Sequence, residues 1–301
     1  MIDFIKFKLL NSDIRKFEDN SLLEFKALVS TETGEVSRFK QAYYKSLKFT
    51  IIQPFGDVKD TSVITVEGSL HKFWNNGEHN FNDFGEKGIL KVLQELEEKF
   101  SITPDNCILR QIELGLNINP PPLYSTKTII DSCFLHKTTS FKSIYVRDEG
   151  EYIQARHQQY IVKIYNKRKH YARKGYEINK EIMRFELKIT RMRYLNNYGI
   201  QTLWDLMNIF DFAQCLYLVR KEWNNVLFYD FEAFKNNKNE SLYCNPNFWG
   251  SLKYSDLKYH RNNLKNIVNK SPVNIKKNID ELFIEKFRNL FHDMDVIINI
   301  S

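Results

Sequence analysis

Gln159-Tyr-Ile-Val-Lys-Ile-Tyr-Asn166 alternates apolar and polar side chains with a period of two, which is the period of a half-buried β-strand. The alternation continues into Lys167, so Lys163, Tyr165 and Lys167 are predicted to share one face of the strand. A tyrosine between two lysines is therefore presented on a basic surface. The alternative is an ordinary half-buried strand tyrosine whose lysine neighbours keep the strand soluble.

Further strands are predicted on both sides of this one. Alternating residues or runs of β-branched residues are typical of strands, and turn residues separate them. The longest of these runs, residues 107–119, ends at Pro120, which cannot donate to a strand ladder. The predicted strands are residues 2–8, 22–29, 47–52, 62–67, 107–119, 160–166 and 182–189.

Helical spacing first occurs at residues 88–100, where apolar residues form one face and charges fill the other. A second helix is predicted at residues 125–135, with Ser125 as its N-cap. Helical periodicity dominates beyond residue 200, over residues 202–212, 213–223, 254–268 and 279–297. The sequence therefore predicts an α+β domain, residues 1–198, followed by a smaller helical C-terminal domain, residues 199–301.

The basic charge of the chain is concentrated in one segment. The 301 residues include 44 Lys and Arg against 37 Asp and Glu, a formal net charge of +7. Residues 151–200 hold 12 Lys or Arg and 4 Asp or Glu, a net charge of +8, so the rest of the chain carries −1. Such a segment is typical of a surface that binds phosphate groups, because crowded like charges are destabilising until a ligand neutralises them. A solvated charged face is the alternative.

Several classes of protein are not indicated. No apolar run approaches the roughly 18 residues of a membrane span. The N-terminal segment alternates and carries charge too early for a signal peptide. The four cysteines are widely spaced and form no Cys-x-x-Cys pair, so neither a zinc knuckle nor a disulfide framework is predicted. We expect a folded cytoplasmic protein with reduced thiols.

Two carboxylates within predicted strands are candidates for chemistry. Glu113 lies in the middle of a strongly apolar strand, so it needs a cation, an arginine or a metal ion nearby if it is buried. A half-exposed polar face is the alternative for that strand. Glu186 shares a face with Arg184 and Lys188, and the alternative to a functional role is a plain ion pair between Arg184 and Glu186.

A polar, aromatic and turn-rich segment follows the fourth predicted strand. His71 and His79 are close enough in sequence to share a site, and imidazole with carboxylate is a usual ligand set for a divalent ion, although the spacing matches no zinc pattern. Ser69, Lys72 and the turn at Gly77 are equally suited to hold a phosphate through hydroxyl, amine and backbone N–H donors.

In their order, these segments resemble the gene II/X type replication initiators of filamentous phages and their plasmid and prophage relatives, a divergent branch of the rolling-circle HUH-type nickases. The resemblance rests on Met1-Ile-Asp3, Gly68-Ser-Leu-His-Lys72, Gln111-Ile-Glu113, Ile161-Val-Lys-Ile-Tyr-Asn-Lys167 and, most clearly, Met183-Arg-Phe-Glu-Leu-Lys-Ile-Thr-Arg-Met-Arg-Tyr-Leu-Asn-Asn-Tyr-Gly-Ile200. It extends over the first 200 residues of the chain.

The resemblance implies a central antiparallel sheet flanked by helices and a tyrosine that attacks an origin phosphodiester, leaving a 5′-phosphotyrosyl link and a free 3′-OH. By its position in the motif Tyr165 is that nucleophile, with Lys163 and Lys167 beside the scissile phosphate. A divalent metal ion, Mg²⁺ or Mn²⁺, is implied as cofactor. The implied metal ligands are Glu113 first, and then His71, His79 and Glu186. The implied DNA-binding residues are Ser69, Lys72, Arg156, Arg168, Lys169, Arg184, Lys188, Arg191 and Arg193.

The chain departs from the family pattern at several positions. It has no His-hydrophobic-His triplet, Glu113 stands where the family has Asp, and Gln111 stands where it often has Arg. Tyr160 lies five residues before Tyr165 and is predicted to face the other way, which favours a mechanism with one tyrosine. The expected partners are origin DNA, as a single strand or hairpin at the nick site, and a host helicase and polymerase, with no membrane partner.

Other functions remain open at this point. The missing histidine pair is also consistent with a catalytically inactive protein that binds and regulates the origin, and a transfer relaxase or transposase would use the same chemistry. In the C-terminal region, Lys253, Lys258, Arg261 and Lys265 lie on one predicted helix. That helix is equally suited to contact duplex phosphates or to be a solvated face.

Overall fold

The computed structural model describes residues 2–10, 12–53, 63–147, 150–207 and 209–291. It confirms the predicted fold class, a mixed α+β protein with a large antiparallel sheet flanked by helices and a helical C-terminal region. The strands are β1 (Ile2–Leu9), β2 (Lys26–Val29), β3 (Val36–Tyr44), β4 (Leu47–Ile52), β5 (Val63–Ser69), β6 (Cys107–Ile118), β7 (Cys133–His136), β8 (Thr139–Ser140), β9 (Lys142–Val146), β10 (Gly150–Arg156), β11 (Tyr160–Asn166), β12 (Met183–Ile189) and β13 (Val226–Phe228). The helices are α1 (Ile14–Glu18), α2 (Leu70–Trp74), α3 (Glu86–Phe100), α4 (Thr126–Asp131), α5 (Lys167–Ala172), α6 (Arg193–Asn196), α7 (Ile209–Asn224), α8 (Phe231–Phe234), α9 (Glu240–Tyr243), α10 (Pro246–Ser251), α11 (Tyr254–Lys270) and α12 (Ile275–Leu290).

The chain divides into two compact units, each assembled from stretches that are distant in sequence. The first consists of Met1–Leu114, Ile189–Gln214 and Leu290–Ser301, and the second of Gly115–Lys188 and Cys215–Asn289. The domain boundary predicted between residues 198 and 199 stays a prediction. The chain leaves each unit and returns to it.

The first unit contains the antiparallel strands in the order β2-β3-β4-β5-β1-β6. Phe7 in β1 pairs with Val66 of β5 on one side and Leu109 of β6 on the other, and all three side chains are buried. Helix α3 packs its apolar face on this sheet, with the Phe100 ring 4.9 Å from that of Phe49. Each such fully buried aromatic side chain contributes about 2–3 kcal/mol to folding.

In the second unit, β12, β11, β10 and β9 follow one another, and β12 lies beside β6, whose last residues belong to this unit. One face of β12 is apolar and covered by helices. The Phe185 ring lies 5.6 Å from that of Trp223 in α7 and 5.7 Å from that of Phe283 in α12. The alternate residues of β12, Arg184 and Glu186, therefore lie on the opposite, polar face.

The second unit also contains a small sheet in the order β13-β7-β8. Beside it lies an aromatic cluster, in which Trp249 is 1% exposed and donates its indole N–H to the carbonyl of Tyr243 at 2.8 Å. In the described parts of the chain, no helix is long and apolar enough to cross a membrane.

The structure differs from the sequence prediction at several elements. The helix predicted at 125–135 ends at Asp131, and a strand begins at Cys133, although Ser125 is its N-cap as predicted and accepts from Thr128 N. The helices predicted at 202–212 and 213–223 are replaced by a short 3-10 helix at Asp205–Met207 and by the single helix α7, which begins at Ile209. Strands β3, β9 and β10 were not predicted, because their exposed faces carry too many polar residues for a clear alternation. Residue 62, residue 208 and residues 292–297 of the predicted elements lie outside the described residues.

Candidate functional site

Tyr165 and Glu186 meet on the polar face of the sheet in the second unit. The Tyr165 hydroxyl donates a long hydrogen bond of 3.3 Å to Glu186 Oε2. Strands β11 and β12 are neighbours in the sheet, and their alternation directs both side chains to this face. Tyr165 is half-buried, whereas Glu186 is only 3% exposed. A partly accessible phenol thus lies against a buried carboxylate.

Two cations hold the Glu186 carboxylate in its buried position. Arg184 Nε donates to Glu186 Oε2 at 3.0 Å, and Lys163 Nζ lies 3.3 Å from Oε1. The ion pair between Arg184 and Glu186, one of the two alternatives left open by the sequence, is therefore present. A buried carboxylate is tolerated only with such partners, since an unpaired charge in the interior costs several kcal/mol.

Gly115 in β6 makes room for the Arg184 guanidinium. A Cβ atom at this position would lie 2.9 Å from Arg184 Nη2 and 2.9 Å from the carbonyl oxygen of Phe185. Only glycine lets the guanidinium approach the strand this closely. Arg184 Nη1 also donates to Asn117 Oδ1 at 3.0 Å, so β6 fixes the arginine that in turn fixes Glu186.

Lys167 does not lie on the face of the strand, and this part of the sequence prediction is wrong. Strand β11 ends at Asn166, whose side chain accepts from Lys169 N at 2.9 Å and begins helix α5. The helical turn buries Lys167, which is 1% exposed. Its ammonium nonetheless lies 5.8 Å from the centre of the Tyr165 ring, so the residue remains beside the tyrosine.

Basic side chains of α5 lie close to this face. A cavity of about 170 Å³ is lined by Lys169, His170 and Arg173 among other residues, and the His170 ring lies 6.1 Å from that of Tyr165. Arg168 is exposed and its guanidinium pairs with Glu181 at 2.6 Å. Part of the excess positive charge of residues 151–200 thus lies close to Tyr165.

The remaining basic residues of the prediction are more dispersed. Arg156 is exposed at the end of β10, and Lys188 is half-buried near the end of β12. Arg191 and Arg193 are exposed and belong to the first unit. Their role in binding DNA stays a prediction.

His71 and His79 lie in one hydrogen-bonded cluster of the first unit. His71 Nε2 lies 2.7 Å from Asn82 Oδ1, which also accepts from Asn75 Nδ2 at 2.8 Å. The same Asn75 nitrogen lies 3.3 Å from His79 Nδ1. Burial lowers the pKa of His79, which favours the neutral imidazole that binds metal ions.

Ser69 serves as the N-cap of α2. Its hydroxyl accepts from Lys72 N at 3.1 Å and donates to Asp3 Oδ1 at 2.5 Å, while Asn80 donates to Asp3 Oδ2 at 2.5 Å. Asp3 is 5% exposed and was not singled out by sequence reasoning. The available signal was an acidic residue directly between Ile2 and Phe4 in the first strand.

The predicted metal ligands belong to both units. Glu113 is half-buried on β6 in the first unit, as are the two histidines, whereas Glu186 belongs to the second. Within the described ranges, no three His, Cys, Asp or Glu side chains group as a metal site. Carboxylate and imidazole donors suit a divalent ion, but both oxygens of Glu186 already contact cations. The metal site stays a prediction.

Sequence reasoning missed a second buried cluster, centred on Glu222 in α7. The Tyr160 hydroxyl donates to Glu222 Oε2 at 3.1 Å and accepts from Lys137 Nζ at 2.6 Å. His136 Nε2 lies 3.0 Å from the same carboxylate oxygen, and its Nδ1 lies 2.7 Å from His157 Nε2. The pKa of His157 is lowered to about 4, mainly by burial and secondly by the charge of the neighbouring His136. No sequence pattern links these residues, because they come from distant segments.

The fold and these contacts define an α+β protein whose antiparallel sheet carries a half-buried tyrosine, a buried glutamate and several cations on one face. No protein-family model matches the chain, and no curated protein is similar to it. Among solved structures, it is similar to the one titled "Structure of Rolling Circle Replication Initiator Protein from Geobacillus stearothermophilus", with 13% sequence identity and a TM-score of 0.39. The match covers 80% of this chain and 89% of that chain.

Proposed function

We propose that the chain is a rolling-circle replication initiator that nicks one strand of a phage or plasmid origin through Tyr165. The observation that carries this proposal is the partly accessible Tyr165 hydroxyl, bonded to the buried Glu186 with Lys163 and Lys167 close by. The sequence resemblance supports the same tyrosine independently, since it rests on the order of motifs and not on these contacts.

In the proposed reaction, Tyr165 Oη attacks the phosphorus of one phosphodiester. The Oη–P bond forms, the P–O3′ bond breaks, and the leaving oxygen takes up a proton from solvent water to become the 3′-OH that primes synthesis. The proton of Tyr165 passes to Glu186, to which the hydroxyl already donates. Lys163 and Lys167 stabilise the negative charge that builds up on the phosphate. The covalent link retains the bond energy for later strand joining.

A bound Mg²⁺ or Mn²⁺ would polarise the scissile phosphate and offset its developing charge. We propose Glu113, His71 and His79 as the residues that hold it, because carboxylate and imidazole are suitable donors for such ions. Glu186 is the weakest of the four predicted ligands, since Arg184 and Lys163 already contact its oxygens.

The basic residues would hold the DNA strand at the site. The proposed location is the cytoplasm, where a host helicase and polymerase are available as partners. Phosphate contacts from lysine and arginine position a strand without reading its sequence. The proposed contacts come from Ser69, Lys72, Arg156, Arg168, Lys169, Arg184, Lys188, Arg191 and Arg193. Arg184 is 2% exposed, so we expect its contribution to come through Glu186.

Nicking of supercoiled DNA tests this proposal. The purified chain is incubated with Mg²⁺ or Mn²⁺ and a supercoiled plasmid that carries fragments of the genetic element encoding it. The fraction of open circular DNA is measured on a native gel, and a protein–DNA adduct is detected on a denaturing gel. Tyr165→Phe removes the nucleophilic oxygen. Tyr145→Phe is the matched control, because Tyr145 is 68% exposed on β9 of the same unit.

We expect nicking and adduct formation by the wild type and by Tyr145→Phe, and neither by Tyr165→Phe. An adduct with Tyr165→Phe would show that another residue is the nucleophile. Salt-dependent DNA binding without cleavage in any metal ion would favour the inactive regulatory protein. A nick mapped to a transfer origin or a transposon end would instead favour a relaxase or transposase.

A further inference from the structure

A cavity of about 510 Å³ lies in the second unit, between helix α11, the beginning of α12 and strand β13. Its wall is apolar on the side of Phe228, Leu264 and Val268, and the amides of Asn262 and Asn269 also line it. Pockets of about 300–1,000 Å³ with an apolar wall and a few polar groups are typical of small-molecule sites.

Four cationic side chains line the same cavity. Arg261 and Lys265 come from α11, and Lys276 and Lys277 come from the first turn of α12. Lys265 and Lys277 are exposed at its rim, while Arg261 and Lys276 are half-buried deeper in the wall. This arrangement concentrates positive charge in a concave site, which favours a bound anion.

The acidic residues of the lining are held by partners of their own. Asp280 accepts from Arg220 at 2.8 Å, in a bidentate pair. Asp230 is fully buried and accepts the backbone N–H of Ile275 at 2.7 Å, together with that of Ala233 at 3.2 Å. Asp280 also acts on Lys276 through its charge, and Lys277 pairs with Glu281 at 3.5 Å, but the four lining cations still outnumber the two lining carboxylates.

Two of the cations keep donors available. Arg261 Nη2 donates to the carbonyl of Lys137, but among the described residues Arg261 Nε is a buried atom without a hydrogen-bond partner. Lys276 Nζ donates to the carbonyls of Asn224 and Val226 at 2.8 and 2.7 Å, which uses two of the three N–H bonds of an ammonium. Because Arg261 Nε is buried, the guanidinium must shift before a ligand can accept from it, and that contact would recover the roughly 1–3 kcal/mol that a buried unsatisfied donor costs.

Burial, and next the neighbouring Arg261, lower the pKa of Lys276 to about 8. An anion beside it would offset both effects, because opposite charge favours the protonated form. The neighbouring cations thus destabilise one another in the absence of a ligand.

We propose that this cavity binds the phosphate group of a nucleotide. Arg261, Lys265 and Lys276 surround the phosphate, and the wall at Phe228 and Leu264 packs against the sugar and base. Asn262 and Asn269 supply both donors and acceptors for the edge of a base. The nucleotide is either free or part of a DNA strand, since both sources present the same phosphate ester. This inference does not depend on Tyr165 and goes beyond the proposed nicking activity.

Calorimetric titration of the full chain tests the inference with three probes: deoxythymidine monophosphate, a single-stranded 20-nucleotide DNA and inorganic phosphate. The cavity variant is Lys265→Gln with Lys277→Gln, which removes two exposed charges and leaves the buried groups intact. The matched control is Lys238→Gln with Lys270→Gln, which removes two exposed charges from the same unit outside the cavity. A further variant, Arg261→Lys, keeps the charge and removes the Nε donor.

We expect the cavity variant to bind the mononucleotide or the strand at least about tenfold more weakly than the control, and Arg261→Lys to weaken binding severalfold. Binding of the mononucleotide assigns a free nucleotide, and binding of the strand alone assigns a nucleotide within DNA. Equal binding by the cavity variant and the control overturns the inference, as does binding of inorganic phosphate alone. Tyr165→Phe is expected to bind as tightly as the wild type, so failure of this inference is separable from failure of the nicking proposal.

Discussion

Strand β11 carries two tyrosines, and the hydroxyl of each donates to a buried glutamate. Tyr160 donates to Glu222 at 3.1 Å, and Tyr165 donates to Glu186 at 3.3 Å. They lie five residues apart on one continuous strand, so they point to opposite faces of the sheet. The two clusters have similar chemistry, yet Tyr160 is 5% exposed and Tyr165 is half-buried.

Under the proposed function, a tyrosine, a glutamate and a lysine are not sufficient for a nucleophile, because the hydroxyl must also be accessible. Burial, and next the negative charge of Glu222, hold the pKa of Tyr160 well above its ordinary value, so the phenolate is disfavoured. Helix α7 supplies Glu222, and Tyr160 is only 5% exposed. On the other face, α5 brings cations to the edge of a phenol that is still accessible.

The largest expected effect separates the two tyrosines by activity. Tyr165→Phe should reduce the rate of nicking by at least about 10⁴-fold, since a covalent mechanism cannot proceed without its nucleophile. It should change the free energy of unfolding by less than about 0.5 kcal/mol, because the lost hydrogen bond is long and partly solvated. Nicking assays and urea titrations of the purified variant measure both quantities.

Tyr160→Phe should show the opposite pattern. It removes a buried hydrogen bond to Glu222 and leaves Lys137 without its 2.6 Å partner, so the free energy of unfolding should fall by about 1–2 kcal/mol. Nicking by the folded variant should match the wild type. If Tyr160→Phe abolishes adduct formation and Tyr165→Phe does not, the roles assigned to the two faces are reversed.

The next effect concerns how Arg184 is positioned in the Glu186 cluster. Gly115→Ala places a Cβ atom 2.9 Å from the guanidinium and from a backbone carbonyl, so we expect a loss of about 1–3 kcal/mol in the free energy of unfolding. Gly250→Ala is the matched control in helix α10 of the same unit, where the added Cβ meets Ser140 Oγ at an ordinary 3.7 Å. That variant should be neutral or slightly more stable, because alanine favours a helix. Equal urea midpoints for the two variants would contradict the close approach.

The Glu222 cluster should also make stability depend on pH. The folded pKa of His157 is about 4, below the ordinary 6.5, so between these values the unfolded chain binds more protons. The stabilisation is complete above about pH 6.5 and is lost as the pH falls towards 4. We expect a loss of about 1–2 kcal/mol, less than the full linkage value because the ring is partly solvated. The groups facing His157 are His136, Lys137 and Glu222.

Urea midpoints at pH 7 and pH 4.5 measure this dependence. His157→Gln removes the titrating ring and keeps a donor for His136, so its midpoint should fall less between the two pH values. Tyr165→Phe, in the other cluster, should keep the wild-type difference. If the urea midpoint of His157→Gln falls between pH 7 and pH 4.5 by as much as that of the wild type, the Glu222 cluster is not the source of the pH dependence.

The contrast between the clusters also shows what the sequence could predict. The alternation of β6, β11 and β12 was clear, because one face of each strand is buried under helices, and it correctly grouped Arg184 with Glu186 and separated Tyr160 from Tyr165. Lys167 was misplaced because the capping bond of Asn166, which ends the strand, gives no signal in an alternating pattern. The strand alternation therefore predicted the bounds of that strand, residues 160–166, and the face of the Glu186 cluster, but not the helix that begins at Lys167.

The Glu222 cluster was beyond prediction for a different reason. Glu222 lies on a helix, Lys137 in a turn and His157 before a strand, and only tertiary packing brings them to Tyr160. The same applies to the cavity at α11 and α12, whose cations come from two helices. Periodicity describes which face of one element is buried, whereas these clusters depend on which elements then meet.

The smallest expected effect concerns the bond that ends β11. Asn166→Ala removes the cap of α5 and the 2.9 Å bond from Asn166 Nδ2 to Glu181, which should lower the free energy of unfolding by about 1 kcal/mol, and Asn166→Ser should restore the part that comes from the acceptor for Lys169 N. Because α5 begins at Lys167, a frayed first turn should also move its ammonium from the Tyr165 ring and slow nicking severalfold. Loss of stability without slower nicking would show that burial alone positions Lys167, or that it makes no contribution at the phosphate. Either result would leave Lys163 as the cation that distinguishes the accessible tyrosine from the buried one.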